Sequence, residues 1–272
     1  EFLTKISKPT CGLITNVGKA HLEGFGSLEG VINTKKELYD WLISHKGTIF
    51  VNHNNEYLTP LVKGYDKVEY YSSNPELADA TTGEITKCNP YLHFKLKGID
   101  GEISTHLIGS YNIDNILSAV AIGRKFGISD EKIVEAITEY TPTNNRSQLM
   151  ETERNTVIID AYNANATSMK AAIENFNMIE TKAPKCAILG DMLELGEQSS
   201  IEHQRIITLL ENSKIDNIIL VGKEFGNTTH HYMWYETSAQ LAEKLKTDPI
   251  QKEMILLKGS HGIGLQKLIE LL

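Results

Sequence analysis

The sequence predicts an α/β protein built in two parts, and three observations lead there. Beyond residue 145, apolar strand-length runs alternate with helix-length amphipathic runs, which implies βαβ units around a parallel sheet. Between residues 83 and 108, the segments EITK, YLHFKLKG and EISTHLIG alternate apolar and polar residues, with a Gly98–Gly101 turn between the last two. That period of two reads as a small antiparallel meander. The polar, proline-containing stretch Thr141-Pro142-Thr143-Asn144-Asn145 separates the two rhythms and sets the parts at 1–142 and 143–272.

In the first part a strand is expected at Cys11–Asn16, followed by a Gly-rich turn at Gly24 and Gly26 and a long helix from Ser27 to Ser44. Strands follow at Thr48–Asn52 and Lys67–Tyr71, then the meander. Gly109-Ser110-Tyr111-Asn112 opens a helix whose Ile113, Ile116, Leu117 and Val120 share one face, and Gly127 ends it as a C-cap. A further helix covers Asp130–Tyr140. In the second part strands are expected at Thr156–Ala161, Lys185–Gly190, Asn217–Gly222 and Met254–Lys258. Helices are expected at Ser168–Glu180, Ser199–Asn212, Ser238–Lys246 and Ile263–Leu272. Ser199 with Glu202, and Thr237 with Gln240, fit capping boxes.

Composition removes several classes. With 41% apolar and 23% charged residues in 272, the chain has ordinary globular composition and enough length for one large or two medium domains. No apolar run approaches a membrane span, and the N-terminus lacks the order of a signal peptide. A net charge of −8 argues against a nucleic-acid backbone as main partner. Cys11, Cys88 and Cys186 are scattered and odd in number, so neither a disulfide framework nor a cysteine zinc site is expected, and a reducing cytoplasm is the simplest location.

Several polar groups fall where an α/β sheet places ligands, just past the carboxyl ends of strands. Lys35 interrupts the apolar stripe Leu28, Val31/Ile32, Leu38/Tyr39, Leu42. It is either a snorkelling lysine or one whose amine is deprotonated and chemically used. His21 lies in the turn after the first strand, with Asn16 and Glu23 close by. Asn112 and Asn115 stand three apart at a helix start, either as capping residues or as two amides able to read a purine edge. Arg146, Asp160, Tyr162, Asn163 and Asn165 cluster around one strand end, where Asn-Ala-Asn is also ordinary turn chemistry. Asp191 and Glu194, with His203 on the next helix, follow a second strand. Lys258-Gly259-Ser260-His261 follows a third.

The segments ITNVGKAHLEGFGSLEGV…TKKEL, GSYNIDN, NNRSQ, IDAYNANATSM, LGDMLELGEQS…H and LLKGS, in this order, resemble the Mur ligase family, the ATP-dependent amide ligases of peptidoglycan precursor synthesis. The versions AHLEGFGS, YNAN, GDMLELG and KGS are most similar to the members that add D-Ala-D-Ala to a UDP-MurNAc-tripeptide. The resemblance implies that 1–142 is the C-terminal part of the family's central mononucleotide-binding domain and 143–272 its Rossmann-like C-terminal domain. It implies ATP and Mg2+ as cofactors, UDP-MurNAc-tripeptide and D-Ala-D-Ala as substrates, and a cytoplasmic monomer. Residue by residue, His21 matches a magnesium-holding histidine, and Lys35 the family's carbamylated lysine, whose carbamate helps hold the metal. Asn112 and Asn115 match the adenine-side asparagines. Arg146 and Asp160 match nucleotide contacts, with Tyr162, Asn163 and Asn165 beside them. Asp191, Glu194, Lys258 and Ser260 match positions near the incoming peptide.

Two departures stand out. The family's P-loop, ending in Gly-Lys-Thr/Ser, and its first domain have no counterpart here, and the chain opens at Glu1 without Met. A chain starting partway through the central domain and inactive alone is therefore expected. His261 also stands where many relatives carry Arg. The alternatives are another ligase of the superfamily, such as a folylpolyglutamate synthase, and a non-catalytic binding module.

Overall fold

The structure, a computed structural model, describes residues 2–18 and 22–272, and all side chains in that range except those of Leu22 and Glu23. His21 lies outside the described residues. The chain forms two compact units: among the described residues, 2–18, Phe25–His106 and Ser110–Tyr140 make the first, and 22–24, Leu107–Gly109 and Thr141–Leu272 the second. Each has its own sheet.

The first unit begins with α1 (Phe2–Ser7) and β1 (Cys11–Leu13); after α2 (Leu22–Phe25), which except for Phe25 belongs to the second unit, it continues with α3 (Leu28–Ser44), β2 (Thr48–Asn52) and β3 (Val68–Ser72). The meander strands β4 (Ala80–Cys88), β5 (Tyr91–Leu96) and β6 (Ile103–Ile108) follow, then α4 (Asn112–Lys125) and α5 (Asp130–Glu139). The six strands make one sheet in the order β1-β2-β3-β4-β5-β6. The meander is thus not a separate small sheet. β4 begins at Ala80, earlier than the period-two pattern suggests. Its first residues pair parallel with β3, Tyr70 opposite Ala80 and Ser72 opposite Thr82, while its later ones pair antiparallel with β5. Ser27 caps α3, its hydroxyl accepting from the Gly30 N–H, and Val31, Tyr39 and Leu42 are its buried face. Gly127 closes α4 in the left-handed conformation, φ 74°, as expected. Asn112 is the first helical residue of α4 and not its cap, since Tyr111 occupies that place.

The second unit continues with β7 (Gln148–Glu151), β8 (Thr156–Asp160), α6 (Ala166–Met178), β9 (Lys185–Gly190) and α7 (Ser199–Glu211). Then come β10 (Asn217–Val221), α8 (Lys223–Gly226), β11 (Met233–Tyr235), α9 (Ser238–Thr247) and β12 (Met254–Lys258). Sheet order is β11-β10-β9-β12-β8-β7, parallel throughout except for the edge strand β7. The short edge strands β7 and β11 were not legible in the sequence, because neither carries enough residues to show a period. The expected C-terminal helix is instead two 3-10 segments, His261–Ile263 and Leu265–Leu271. Helix α6 starts at Ala166, two residues early, because Asn165 and Ser168 form a reciprocal capping box. The Thr237–Gln240 box is present. The Ser199–Glu202 box is not: Gln198 precedes α7 without a side-chain cap, and the Ser199 hydroxyl donates to Glu224 Oε2 at 2.7 Å instead.

The chain runs β8, β9, β10, β11 in one direction across the sheet and returns to place β12 between β8 and β9. Right-handed crossovers therefore put α6 and α7 on one face and α9 on the other. Val157, Ile159, Ile188, Val221, Ile255 and Leu257 form the core beneath α9 and the last 3-10 segment, which contribute Leu241, Leu245, Leu265 and Leu268. The loops after β8 and β9 lead to one face and the loop after β12 to the other. Reversal of this kind opens a crevice at the carboxyl end of β12.

One glycine at this edge is fixed by space as well as by backbone. Gly222 has φ 126°, and a Cβ there would stand 2.2 Å from the Asp191 carboxylate. Gly222→Ala is expected to lower unfolding free energy by about 2–4 kcal/mol, read from the urea midpoint of the chain. An unchanged midpoint would contradict this close approach.

Candidate functional site

The second unit supplies the denser cluster. Lys258 ends the central strand β12 directly opposite Asp160, the last residue of β8. Its side chain is 1% exposed, and its ammonium donates to Asp160 Oδ2 at 2.6 Å and lies 3.4 Å from the Asn163 carbonyl. A buried ammonium needs such a partner, so Lys258 and Asp160 are a unit. The charge expected to meet an incoming peptide is spent inside the fold.

Ser260 is likewise committed. Its buried hydroxyl accepts from the Leu193 N–H at 2.9 Å and donates to the Ala164 carbonyl at 3.3 Å, while its N–H donates to the Asp191 carbonyl at 3.1 Å. It ties together the loops after β8, β9 and β12. Asp191, 3% exposed, accepts from the Glu224 N–H on one oxygen and the Phe225 N–H on the other, both at 2.9 Å. Burial pushes its carboxyl above the usual carboxylate range, against those two donors. Asp191 is therefore an anchor for α8. Asn165 is the α6 cap, which makes the turn-chemistry reading of that residue the one observed.

A second set, Arg146, Tyr162, Asn163, Glu194 and His261, is exposed. The Arg146 guanidinium lies 4.0 Å from the centre of the Tyr162 ring, a cation–π stack. Beyond that ring lies His261, with ring centres 6.2 Å apart. Arg146 is flanked by two non-glycine residues in the left-handed region, Asn145 (φ 57°) and Ser147 (φ 48°), so the backbone there is held in a disfavoured shape. Glu194, at φ 67°, is a third.

In the first unit, Lys35 is half-buried on α3. Its ammonium donates to the Asn16 carbonyl at 2.9 Å, and it borders a cavity of about 780 Å³ together with Leu13, Thr15 and Leu38. Desolvation lowers its pKa, which raises the share of neutral, nucleophilic amine. Lys36 pairs with Asp40 at the surface, as its position on the polar side suggests. Asn115 is exposed and donates to Asn112 Oδ1 at 3.0 Å, so the two amides stand side by side on the first turn of α4.

Asp114, between them, was not singled out by sequence. Burial raises its pKa, the Asn52 side chain hydrogen-bonds it, and its Oδ1 has no partner. The available signal was Asn52 itself, a polar residue ending an apolar strand. Among the described residues no three His, Cys, Asp or Glu side chains gather as a metal site. The cluster of Asn112 and Asn115 suits a flat polar base, and the exposed Arg146 suits a phosphate.

Two family models match the chain: the Mur ligase middle domain over residues 1–123 and the Mur ligase glutamate ligase domain over 145–261. UDP-N-acetylmuramoyl-tripeptide–D-alanyl-D-alanine ligases are similar along nearly its whole length. That of Bacillus subtilis is 28% identical and that of Buchnera aphidicola (subsp. Baizongia pistaciae) 31%, each over 99% of this chain and 60% of its own length. The chain thus spans about 60% of these relatives. Among solved structures, MurF from Acinetobacter baumannii superposes with TM-score 0.83 at 24% identity, over 98% of this chain and 60% of that one. The MurF ligase of Thermotoga maritima in complex with ADP gives 0.79 at 20% identity, over 99% and 62%. Folylpolyglutamate synthase from Thermotoga maritima shares the fold at 0.62 and 11%, over 96% and 60%. No helix among the described residues is long and apolar enough to cross a membrane.

The buried pair predicts a thermodynamic signature. Lys258→Met leaves Asp160 without its cation and is expected to cost about 3–5 kcal/mol of stability. Adding Asp160→Leu removes the orphaned charge and is expected to recover a large part of that loss. Urea unfolding of the single and double variants checks this. A double variant no more stable than the single would show that the pair is not a unit.

Proposed function

This chain belongs to the Mur ligase family, and we propose that it provides the adenine-binding and acceptor-binding parts of an ATP-dependent ligase that adds D-Ala-D-Ala to UDP-MurNAc-tripeptide. The observation that carries this reading is the split at the carboxyl edge of the second sheet. Buried Lys258, Ser260 and Asp191 hold three loops, two of which carry the exposed Tyr162 and Glu194, and exposed Arg146 stacks on Tyr162 from the segment before β7. The sequence relatives with that substrate pair, similar over 99% of the chain, favour it over the folylpolyglutamate synthase reading, for which the likeness is one of fold at 11% identity.

In the proposed reaction a carboxylate oxygen of the tripeptide attacks the γ-phosphorus of ATP, releasing ADP and giving an acyl phosphate. The dipeptide amine then attacks the acyl carbon. The C–O bond to phosphate breaks, an amide forms, and the amine's proton is lost to a base or to water. Asn112 and Asn115 hold the adenine edge. Arg146, stacked on Tyr162, offers a fixed guanidinium to phosphate oxygens. Asp160 is held in place by the Lys258 ammonium. Glu194 offers an exposed carboxylate to the dipeptide ammonium, whereas Asp191, Lys258 and Ser260 act behind it. A carbamate on Lys35, with His21, would hold the divalent ion, which when bound neutralises phosphate charge. Much of the remaining rate enhancement comes from positioning. The proposed reaction runs in the cytoplasm on soluble precursors.

Incubation with UDP-MurNAc-tripeptide and either D-Ala-D-Ala or glutamate, with analysis of the products, tests the reading. Extension by glutamate alone would replace it with the folylpolyglutamate synthase reading. No Gly-Lys-Thr/Ser occurs in the 272 residues, and neither Arg146 nor Asp160 substitutes for a nest of backbone N–H donors. Residues 1–272 by themselves are therefore expected to release no ADP above background, and a ligase-like rate from them would overturn the assignment of phosphate binding.

Lys35→Ala is expected to abolish ligation in the intact enzyme, with partial rescue by short carboxylic acids. Because carbon dioxide adds only to the neutral amine, stimulation of the wild type by added bicarbonate should grow as pH falls and protonation removes that form. Lys35→Ala turning over normally would mark Lys35 as a core residue only.

A further inference from the structure

His203 has no part in the chemistry above, yet it is fully buried on α7, at 0% exposure. Its Nε2 accepts from the Met192 N–H at 3.0 Å. The ring proton is therefore on Nδ1, which lies 2.8 Å from the Ser199 carbonyl one turn back. Nε2 is also 3.8 Å from Asp191 Oδ1, but a nitrogen that accepts from Met192 has no proton to share, so the two form no ion pair. The ring edge packs against Phe225 at 4.7 Å. What the imidazole alone provides is an acceptor for a buried backbone donor that would otherwise be unpaired.

Met192 belongs to a short loop held at each step from outside. The Asp191 carbonyl accepts from the Ser260 N–H, the Met192 N–H goes to His203, and the Leu193 N–H goes to the Ser260 hydroxyl. The next residue is Glu194, exposed and in the left-handed conformation at φ 67°, which glutamate adopts only when its surroundings impose it. Two successive peptide groups, pinned by three hydrogen bonds and followed by a strained, exposed carboxylate, make a preorganised arm.

We propose that His203 is a positioning residue, and that through Met192 it fixes the loop that aims Glu194 at the ammonium of the incoming amino-acid or dipeptide substrate. This rests on the proposed acceptor role of Glu194, and two separate measurements keep the two apart. The first is backbone amide exchange. In the wild type the Met192 and Leu193 amides exchange slowly, although they lie outside helix and sheet. In His203→Leu, Met192 loses that protection while the β9 amides keep theirs. In His203→Gln, whose side-chain oxygen reaches the place of Nε2, protection returns. Rapid exchange of Met192 in the wild type overturns the proposal even if no variant folds.

The second measurement is steady-state kinetics of the intact enzyme. Glu194→Gln raises the KM for D-Ala-D-Ala about tenfold, with the KM for ATP unchanged. His203→Leu raises the same KM several-fold, His203→Gln restores most of it, and His203→Leu adds little when placed on Glu194→Gln. An additive effect in that double variant, or a shift in the KM for ATP instead, shows a merely structural histidine and overturns the proposal. An unaltered KM in Glu194→Gln with Met192 protected in the wild type refutes the acceptor role of Glu194, and with it the purpose assigned to the loop, while leaving the His203–Met192 bond standing.

Discussion

A cation buried at the end of the central strand dictates the layout of the second unit. Lys258 is flanked by β8 and β9, both parallel to it, and has no route to water. Desolvating an ammonium is costly, so its position requires a carboxylate at the neighbouring strand end, and the register supplies Asp160 there. Once Lys258 and Asp160 are paired, the chain beyond each must turn away within a residue or two. The Asn163 carbonyl points back at the ammonium, and Gly259 packs so closely on Gly190 that a Cβ would stand 2.9 Å from its Cα.

The polar groups gathered at this edge divide into holders and presenters. Ser260, Asp191 and His203 satisfy backbone donors and acceptors of the surrounding loops, which buried loops need because no water reaches them. Arg146, Tyr162 and Glu194 face solvent on segments whose backbone is strained at Asn145, Ser147 and Glu194. Just before Glu194, His203 and Ser260 hold the Met192 and Leu193 N–H groups, so an exposed side chain there depends on residues inside the fold. The first unit repeats the division in smaller form. Asn52 and Asp114 are interior partners, while Asn115 stands exposed beside them on α4. Lys35 lies between the two classes, tied to the Asn16 carbonyl but bordering an open cavity.

The sequence by itself determined the larger elements, because period and caps are local properties. The strands at Thr48, Lys185, Asn217 and Met254, the helices on α3, α4 and α9, and the Thr237–Gln240 box follow from residues within a turn or two of one another. It also singled out Asp160, Asp191 and Lys258, since polar residues closing an apolar strand are visible without a fold. Only the tertiary structure decided what those residues do. Whether Lys258 meets a ligand or a buried Asp160, whether Asp191 faces a peptide or two N–H groups of α8, and whether Ser199 caps its helix or reaches Glu224 depend on groups from 25 to 98 positions away in the chain. The merging of β4 into the parallel sheet and the edge strands β7 and β11 were set the same way, by pairing partners. A motif specifies which side chains are brought to an edge. Burial, which is a property of the packed whole, decides which of them remain free to act.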